Sequence, residues 1–188
     1  YGLTTAQKWR KRLGLEENKR WSDIINNLIA LPISNNLYLP NATTPNAYLD
    51  DQYRRDHPAV VGAYGFLPWN SRLDTTIMSN TFDEIMNRWQ WQTTWGWDYP
   101  LLAMTAARLN KPDQAIDALL MDVQKNTYLV NGHNYQDKRL RLYLPGNGGL
   151  LAAVAMMTAG WDGNVKETPG FPKNGKWNVK WEGLSPMP

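Results

Sequence analysis

Apolar residues recur at steps of three and four positions along much of the chain, which is the spacing of one face of an α-helix. Between residues 18 and 31 this pattern joins Trp21, Ile24 and Leu28, and Pro32 ends it. Helices are predicted on this basis at 5–13, 18–31, 74–89, 96–109, 112–123 and 148–157, with a short helix at 57–64 and a short strand at 37–39.

Two of the predicted helices, at 96–109 and 148–157, are apolar on nearly every side, which predicts that both are buried. Helix 112–123 is apolar on one side only and follows a tight turn at Asn110 and Lys111. A buried helix joined by a short turn to an outer, amphipathic helix is the repeating unit of a helical toroid, whereas a four-helix bundle would contain one-sided helices throughout. We therefore predict an all-α fold that forms about half of an (α/α)6 toroid.

The chain divides into a helical part, residues 1–167, and a tail, residues 168–188. The tail is rich in proline and glycine, and its alternating stretch 176–182 predicts a strand or an extended arm that leads to a β-rich appendage. An incomplete toroid would leave the flanks of its two apolar helices exposed. We therefore expect either a missing N-terminal half of the toroid or self-association to cover them.

Composition excludes several classes of protein. The 188 residues contain no cysteine, so neither a disulfide framework nor a cysteine zinc site can form. The two histidines lack metal-ligand spacing, and neither a metal nor a cofactor is predicted. Twenty basic residues stand against 17 acidic ones without a long basic stripe, so no nucleic-acid partner is expected. The longest apolar run is too short to span a membrane, and no signal peptide is visible.

Tryptophan is the unusual component. The chain has ten tryptophans and nine tyrosines but only three phenylalanines. Aromatic rings with a polar atom suit wet, concave sites. Trp91, Trp95 and Trp97 crowd one short segment, and flat indoles of this kind stack on sugar rings. We predict that they bind a glycan; the alternative is that they belong to the core or to a subunit interface.

Asp98 follows these tryptophans at the start of the apolar helix, where it is expected to be partly buried. It is the candidate catalytic carboxylate or sugar ligand, and the alternative is a carboxylate that caps the helix. His133 and Asn134 lie in a polar turn and are candidate substrate ligands, with an ordinary surface turn as the alternative. Asp56 and His57 are adjacent, and adjacent residues of a helix do not face each other, so no dyad is predicted there.

Three motifs in order carry a family resemblance. A His-Pro segment at His57 is followed by Trp95-Gly96-Trp97, which runs into Ala106-Ala107-Arg108-Leu109, and then by a Gly-Asn-Gly entry around Asn147 into an apolar helix that ends at Met156-Met157. This order resembles the C-terminal half of the catalytic toroid of six-hairpin glycosidases, most closely glycoside hydrolase family 95 and its uncharacterised relatives in polysaccharide-degrading bacteria. The likeness covers residues 56–160.

The resemblance implies a periplasmic or secreted glycoside hydrolase. It also implies that this chain is one part of that enzyme and that the general acid lies in another part. In the family pattern Ile-Asp-Gly-Asn the aspartate activates water; here Pro145 stands at that position, while Asn147 matches. Inverting hydrolysis needs two carboxylates about 6.5–9.5 Å apart, and this chain offers Asp98. The predicted substrate contacts are Trp91, Trp95, Trp97, His57, His133, Asn134 and Asn147. The alternatives are a non-catalytic helical module that binds glycan or protein, and a purely structural domain.

Overall fold

Seven α-helices supply most of the regular structure in the computed structural model, which describes residues 1–188. They span Gly2–Arg12 (α1), Lys19–Asn26 (α2), Gly62–Gly65 (α3), Thr75–Arg88 (α4), Asp98–Arg108 (α5), Pro112–Leu119 (α6) and Leu144–Ala159 (α7). Two antiparallel hairpins have two-residue strands: Ile33–Ser34 (β1) pairs with Leu37–Tyr38 (β2), and Thr127–Tyr128 (β3) pairs with Asn134–Tyr135 (β4). The prediction of a mainly α-helical fold is confirmed. None of the helices is both long and apolar enough to cross a bilayer.

Helix α5 is the centre of the fold. All its residues from Asp98 to Ala107 are buried, and α3, α4, α6 and α7 pack against it. The prediction of a helix buried on every side is therefore confirmed for α5. The chain leaves α5 through Asn110, whose left-handed backbone (φ 59°) asparagine tolerates better than most residues. Pro112 then begins α6 in its first turn, where its missing N–H costs nothing.

Helix α2 is shorter than the periodicity predicts, because it ends at Asn26 rather than at residue 31. The Asn27 side chain donates to the Asp23 carbonyl at 2.8 Å, and the Arg72 guanidinium donates to the Ile25 carbonyl at 3.1 Å. The Asp23 carbonyl also accepts the Asn27 backbone N–H, whereas at Ile25 the Arg72 guanidinium takes the place of the backbone N–H that would continue the helix. No residue of α1 or α2 is buried, so the pair lies at the edge of the core.

Helix α6 also ends earlier than predicted, at Leu119 rather than at residue 123. The Asn126 side chain donates to the Leu119 carbonyl at 2.9 Å.

Helix α7 is instead longer than predicted. It begins at Leu144, four residues before the predicted start, and its Pro145 lies in the first turn. The glycine-rich stretch is therefore helical, since a helix interior tolerates glycine when packing compensates for the entropy cost.

The prediction that α7 is buried on most sides is wrong, because only one side of it is buried. Ala153, Met156 and Met157 pack into the core, but Leu144 is 63% exposed and Leu151 is 73% exposed. The expected exposure of apolar flanks therefore holds for α7 and not for α5, whose sides are all covered. The difference follows from position, because α5 is enclosed by four helices whereas α7 lies at the surface.

The tail returns to the helical body. Gly170 packs against Met157 and donates its N–H to the Met157 carbonyl at 2.9 Å. Near the end, Met187 forms a parallel bridge with Trp161. Of the two alternatives predicted for 176–182, the strand is not formed, since that stretch has no partner strand and is mostly exposed, and the extended arm remains a prediction. The boundary between residues 167 and 168 remains a prediction.

Candidate functional site

The segment that contains His57 is fastened to the loop that precedes α5. The Gln90 backbone N–H donates to the Arg54 carbonyl at 2.9 Å, and the Trp89 indole N–H donates to the Asp56 carbonyl at 2.9 Å. Both bonds join parts of the chain more than 30 residues apart. They hold His57 beside the N-terminus of α5.

Asp98 and His57 form a hydrogen-bonded pair at this point. Nδ1 of His57 lies 3.0 Å and 3.1 Å from the two carboxylate oxygens of Asp98, whose side chain is fully buried. The Trp95 backbone N–H donates to Oδ2 of Asp98 at 2.8 Å. An ionised carboxylate only accepts hydrogen bonds, so Nδ1 carries the hydrogen and Nε2 keeps a lone pair. Nε2 can therefore accept a proton or a hydrogen bond from a ligand.

The capping role left open for Asp98 is supported in part, because its side chain accepts the backbone N–H of Trp95, three residues before it, although no N–H group of α5 itself donates to it. Burial raises the pKa of Asp98 from its ordinary 3.8 to about 6. The Trp95 N–H and the charge and hydrogen bond of His57 lower the pKa but do not offset this desolvation. Asp98 therefore changes its charge near pH 6, and carboxylates with such raised pKa values are concentrated at functional sites.

Asp56 presents a second carboxylate to the opposite side of the imidazole. Its Oδ1 lies 3.5 Å from Nε2 of His57 and accepts the Trp95 indole N–H at 2.8 Å. The Asp56 side chain is 67% exposed and that of His57 is 32% exposed. Solvent and ligands therefore reach Asp56 and His57, whereas Asp98 lies behind the imidazole.

Trp97 forms one wall of the site. Its ring lies 4.8 Å from the imidazole of His57, tilted by 59°, and stacks on Phe66 at 5.6 Å with 6° between the planes. A groove of about 280 Å³ extends from these two rings along the first turns of α7, past Pro145 and Gly148. The groove is lined mainly by apolar groups and is continuous with the His57 site through Trp97.

Trp95 forms the other wall, with its ring 6.0 Å from that of His57. The Lys125 ammonium lies 5.6 Å from the centre of the Trp95 ring, a cation–π arrangement. Tyr143 lies 5.6 Å from the same ring. Burial raises the pKa of Tyr143, and the charges of the two site carboxylates add to this effect. The site thus combines flat rings with carboxylate, imidazole, ammonium and phenol groups.

The predicted ligands Asn134 and Asn147 hold the β3–β4 hairpin to the start of α7. Asn134 is fully buried, and its Nδ2 donates to the carbonyls of Lys125 and Thr127 at 3.2 Å each. Its backbone N–H donates to Oδ1 of Asn147 at 3.0 Å. In this structure these amides are fully used inside the protein.

Gln136 connects the same hairpin to the tryptophan loop. Its Nε2 donates to Oδ1 of Asn134 at 2.8 Å, and its Oε1 accepts the Gly96 N–H at 3.1 Å. A Cβ on Gly96 would lie 1.9 Å from Oδ1 of Asn134, so only glycine fits between Trp95 and Trp97. The two buried amides therefore support the loop that carries both tryptophans.

Two further predicted residues lie apart from the dyad. His133 is in the turn of the β3–β4 hairpin, where its backbone N–H donates to Asn131 and its imidazole has no hydrogen-bond partner. Trp91 lies 6.3 Å from the ring of Tyr99 and packs against the core. Of the predicted residues, the structure therefore brings together Asp98, His57, Trp95 and Trp97.

Sequence reasoning missed Asp56, Lys125, Tyr143, Phe66 and Gln136. For Asp56 a local indication exists, because the residue before a proline avoids the helical region, and His57 precedes Pro58. The argument that Asp56 and His57 cannot face each other assumed a helix and is wrong. Asp56 has a left-handed backbone (φ 59°), and the turn brings both side chains into one site.

No group of three or more His, Asp or Glu side chains is arranged to hold a metal ion. Comparison with protein-family models, with curated proteins and with solved structures finds no match to this chain.

Proposed function

We propose that this chain is the C-terminal half of an (α/α)6 toroid of glycoside hydrolase type and supplies glycan-binding residues to its cleft. The observation that carries the proposal is the hydrogen-bonded pair of buried Asp98 and partly exposed His57 between two half-buried tryptophan rings. The pairing of buried α5 with outer α6 supports the toroid, because a toroid places its cleft at the N-termini of inner helices. In line with the family resemblance, the substrate is a polysaccharide in the periplasm or outside the cell.

Each group at the site has a role in this proposal. Trp97, and the exposed part of Trp95, stack on the apolar faces of sugar rings. The carboxylate of Asp56 and Nε2 of His57 accept hydrogen bonds from sugar hydroxyls, and Nε2 exchanges a proton with the substrate. Asp98 is a positioning residue, because its oxygens reach the ligand only through His57. It fixes the tautomer that leaves Nε2 free.

The exposed apolar face of α7 is the contact surface for the rest of the toroid in this proposal. Leu144 and Leu151 lie on it, and Val154 is 40% exposed beside them. Apolar patches of this kind mark interaction surfaces more often than free surface. The partner is the N-terminal half of the toroid, and a second copy of this chain is the alternative.

A non-catalytic glycan-binding module is the second candidate function. One observation favours it: Oδ1 of Asp56 accepts the Trp95 indole N–H and lies 3.5 Å from Nε2 of His57, so an imidazole that carries both protons is held between the two carboxylates. A binding platform needs such a preformed arrangement, whereas a general base needs Nε2 to be released. The two candidates differ in whether His57 affects turnover as well as affinity.

The first experiment measures intrinsic fluorescence during titration with cello-, xylo-, manno- and fuco-oligosaccharides. At least one sugar is expected to shift the emission of the wild-type chain. Trp97→Ala removes the stacking surface and should abolish the shift. Trp177→Ala is the matched control, because Trp177 is 42% exposed in the tail and should leave the response intact. A panel without any response, or equal responses of both variants, would refute glycan binding at this site.

Gly148 offers a sharper test of where the sugar lies. A Cβ at this position meets nothing within 4 Å and points into open space beside the groove. Gly148→Ala should keep the affinity and add about 0.5–1 kcal/mol of stability, since alanine is the better helix former. Gly148→Leu should fill the groove and weaken binding at least about tenfold, a cost of about 1.4 kcal/mol. Unchanged affinity in both variants would exclude the groove as a sugar subsite.

Turnover separates the two candidate functions. The release of reducing ends from the bound oligosaccharide is measured for the wild-type chain and for His57→Gln. Hydrolysis that His57→Gln lowers by about 10²-fold or more supports the enzyme, because general acid–base catalysis contributes about 10²–10⁴-fold. Tight binding without any hydrolysis by the chain, alone or with the N-terminal half, supports the binding module.

A further inference from the structure

The last residue of α5, Arg108, has an unusual environment. It lies at the opposite end of the helix from Asp98, about 15 Å away at about 1.5 Å per residue. Its guanidinium makes one hydrogen bond, from Nη2 to the Pro188 carbonyl at 2.9 Å, and lies over the ring of Trp161 at 5.4 Å. None of the ion pairs of the chain involves Arg108.

The guanidinium of Arg108 has more N–H donors than hydrogen-bond acceptors around it. Its Nε is inaccessible to solvent and has no hydrogen-bond partner. Burial lowers the pKa of the guanidinium. Arg108 as a whole is half-buried, but a buried N–H without an acceptor, such as its Nε, is rare in folded proteins. Four of the five N–H donors of Arg108 therefore have no protein acceptor.

A cavity lies directly beside this guanidinium. It has a volume of about 280 Å³ and is lined by Arg108, Trp161, Trp69, Tyr64, Asp162 and Gly163. Trp69 is 61% exposed and forms the outer edge of the cavity, where its ring is open to a flat ligand. An arginine fork suits a carboxylate, and an indole suits the apolar face of a ring.

We propose that this cavity is a second binding site, which takes a sugar acid of the hexuronic class with its carboxylate on Arg108 and its ring on Trp69. Asp162 lies at the edge of the cavity without an ion pair to Arg108 and opposes the ligand charge, which limits the affinity. The site shares no residue with the His57 site, so either proposal can fail while the other stands. If Arg108 only anchors the tail through Pro188 and Trp161, the cavity has no preference for acids.

The experiment compares galacturonate with galactose, which differ only in the carboxylate at C6. Indole N–H resonances of Trp69 and Trp161 are followed by NMR at matched ionic strength. Galacturonate is expected to shift both resonances saturably, and galactose at least tenfold more weakly. Arg108→Gln should weaken galacturonate binding at least tenfold, Asp162→Asn should strengthen it, and Trp97→Ala in the other site should leave it unchanged.

Several outcomes would overturn the proposal. These are the absence of a galacturonate shift, equal responses to both sugars, and full affinity in Arg108→Gln. If Arg108→Gln fails to fold, Trp69→Ala decides, because this exposed ring contributes little to folding. Loss of galacturonate affinity in Trp69→Ala with an unchanged melting temperature supports the site, and retained affinity refutes it.

Discussion

Replacement of Asp98 by asparagine is the most informative single change at the dyad. The substitution keeps the shape of the side chain but removes its charge and one acceptor. In the wild-type protein both oxygens of Asp98 accept hydrogen bonds, from Nδ1 of His57 and from the Trp95 N–H. An amide has only one oxygen, and the Trp95 backbone N–H can only donate, so the amide oxygen stays on Trp95 and the NH₂ group faces His57. The imidazole then adopts the other tautomer and loses the free lone pair on Nε2.

The effect on stability follows from the pKa of Asp98, which is 3.8 ordinarily and about 6 in the folded protein. Because the folded pKa is the higher one, the folded state holds this proton more tightly than the unfolded state. The contribution of Asp98 to the free energy of unfolding is therefore greatest below about pH 4. It is lost as the pH rises through about 6, by roughly 3 kcal/mol in total.

Urea denaturation followed by tryptophan fluorescence, at intervals from pH 4 to pH 7, measures this contribution. The wild-type free energy of unfolding should fall by roughly 2.5 kcal/mol relative to that of Asp98→Asn over this range, since part of the total is already lost at pH 4. Asp56→Asn is the matched control, since that neighbouring carboxylate is mostly exposed and should leave the pH dependence close to that of the wild type. If the free energies of unfolding of wild type and Asp98→Asn depend on pH in the same way, Asp98 is not desolvated. The argument that the Asp98 carboxylate titrates near pH 6 would then fail.

Two further substitutions test the support of the site and the exposed helix face. Gly96→Ala places a Cβ 1.9 Å from Oδ1 of Asn134, so it should destabilise the protein by about 1–3 kcal/mol and lower the melting temperature in calorimetry. An unchanged melting temperature would mean that the side chains of Asn134 and Gln136 are not held rigidly. Leu151→Lys lies on the exposed face of α7 and should change the stability of the monomer by less than about 0.5 kcal/mol. Sedimentation should show that it also prevents any association of the chain, and association that persists would exclude α7 as the contact.

Several features of the fold could be predicted because they depend on local sequence. The apolar residues of α5, the turn at Asn110 and the proline that opens α6 are neighbours in the chain, and their periodicity and backbone preferences suffice to predict the α5–α6 pair. The burial of Asp98 followed from the same pattern, since it stands at the start of a helix without a polar face. Helix ends were less predictable, because side chains from elsewhere, such as Arg72, complete them.

The candidate site itself depends on contacts between distant parts of the chain. His57 and Asp98 are 41 positions apart, and no periodicity relates them. Asn134 and Asn147 have amide side chains of the kind that bind sugar hydroxyls. In the structure their amides instead form hydrogen bonds within the protein, between the β3–β4 hairpin and the start of α7. The side chain of a polar residue can satisfy either the protein or a ligand, and only the packing of distant segments decides which.

The same reasoning applies to α7, which is as apolar as α5 but is left exposed on one face. The apolar composition of a helix indicates that its burial would stabilise the folded protein. It does not indicate whether enough neighbouring elements exist to cover every side of the helix. The sequence by itself therefore determined which segments form helices and which of these have apolar surface to bury. Tertiary structure alone decided which helix is enclosed, which polar groups remain free, and that His57 contacts Asp98. These three outcomes depend on how distant segments pack against one another in a single core.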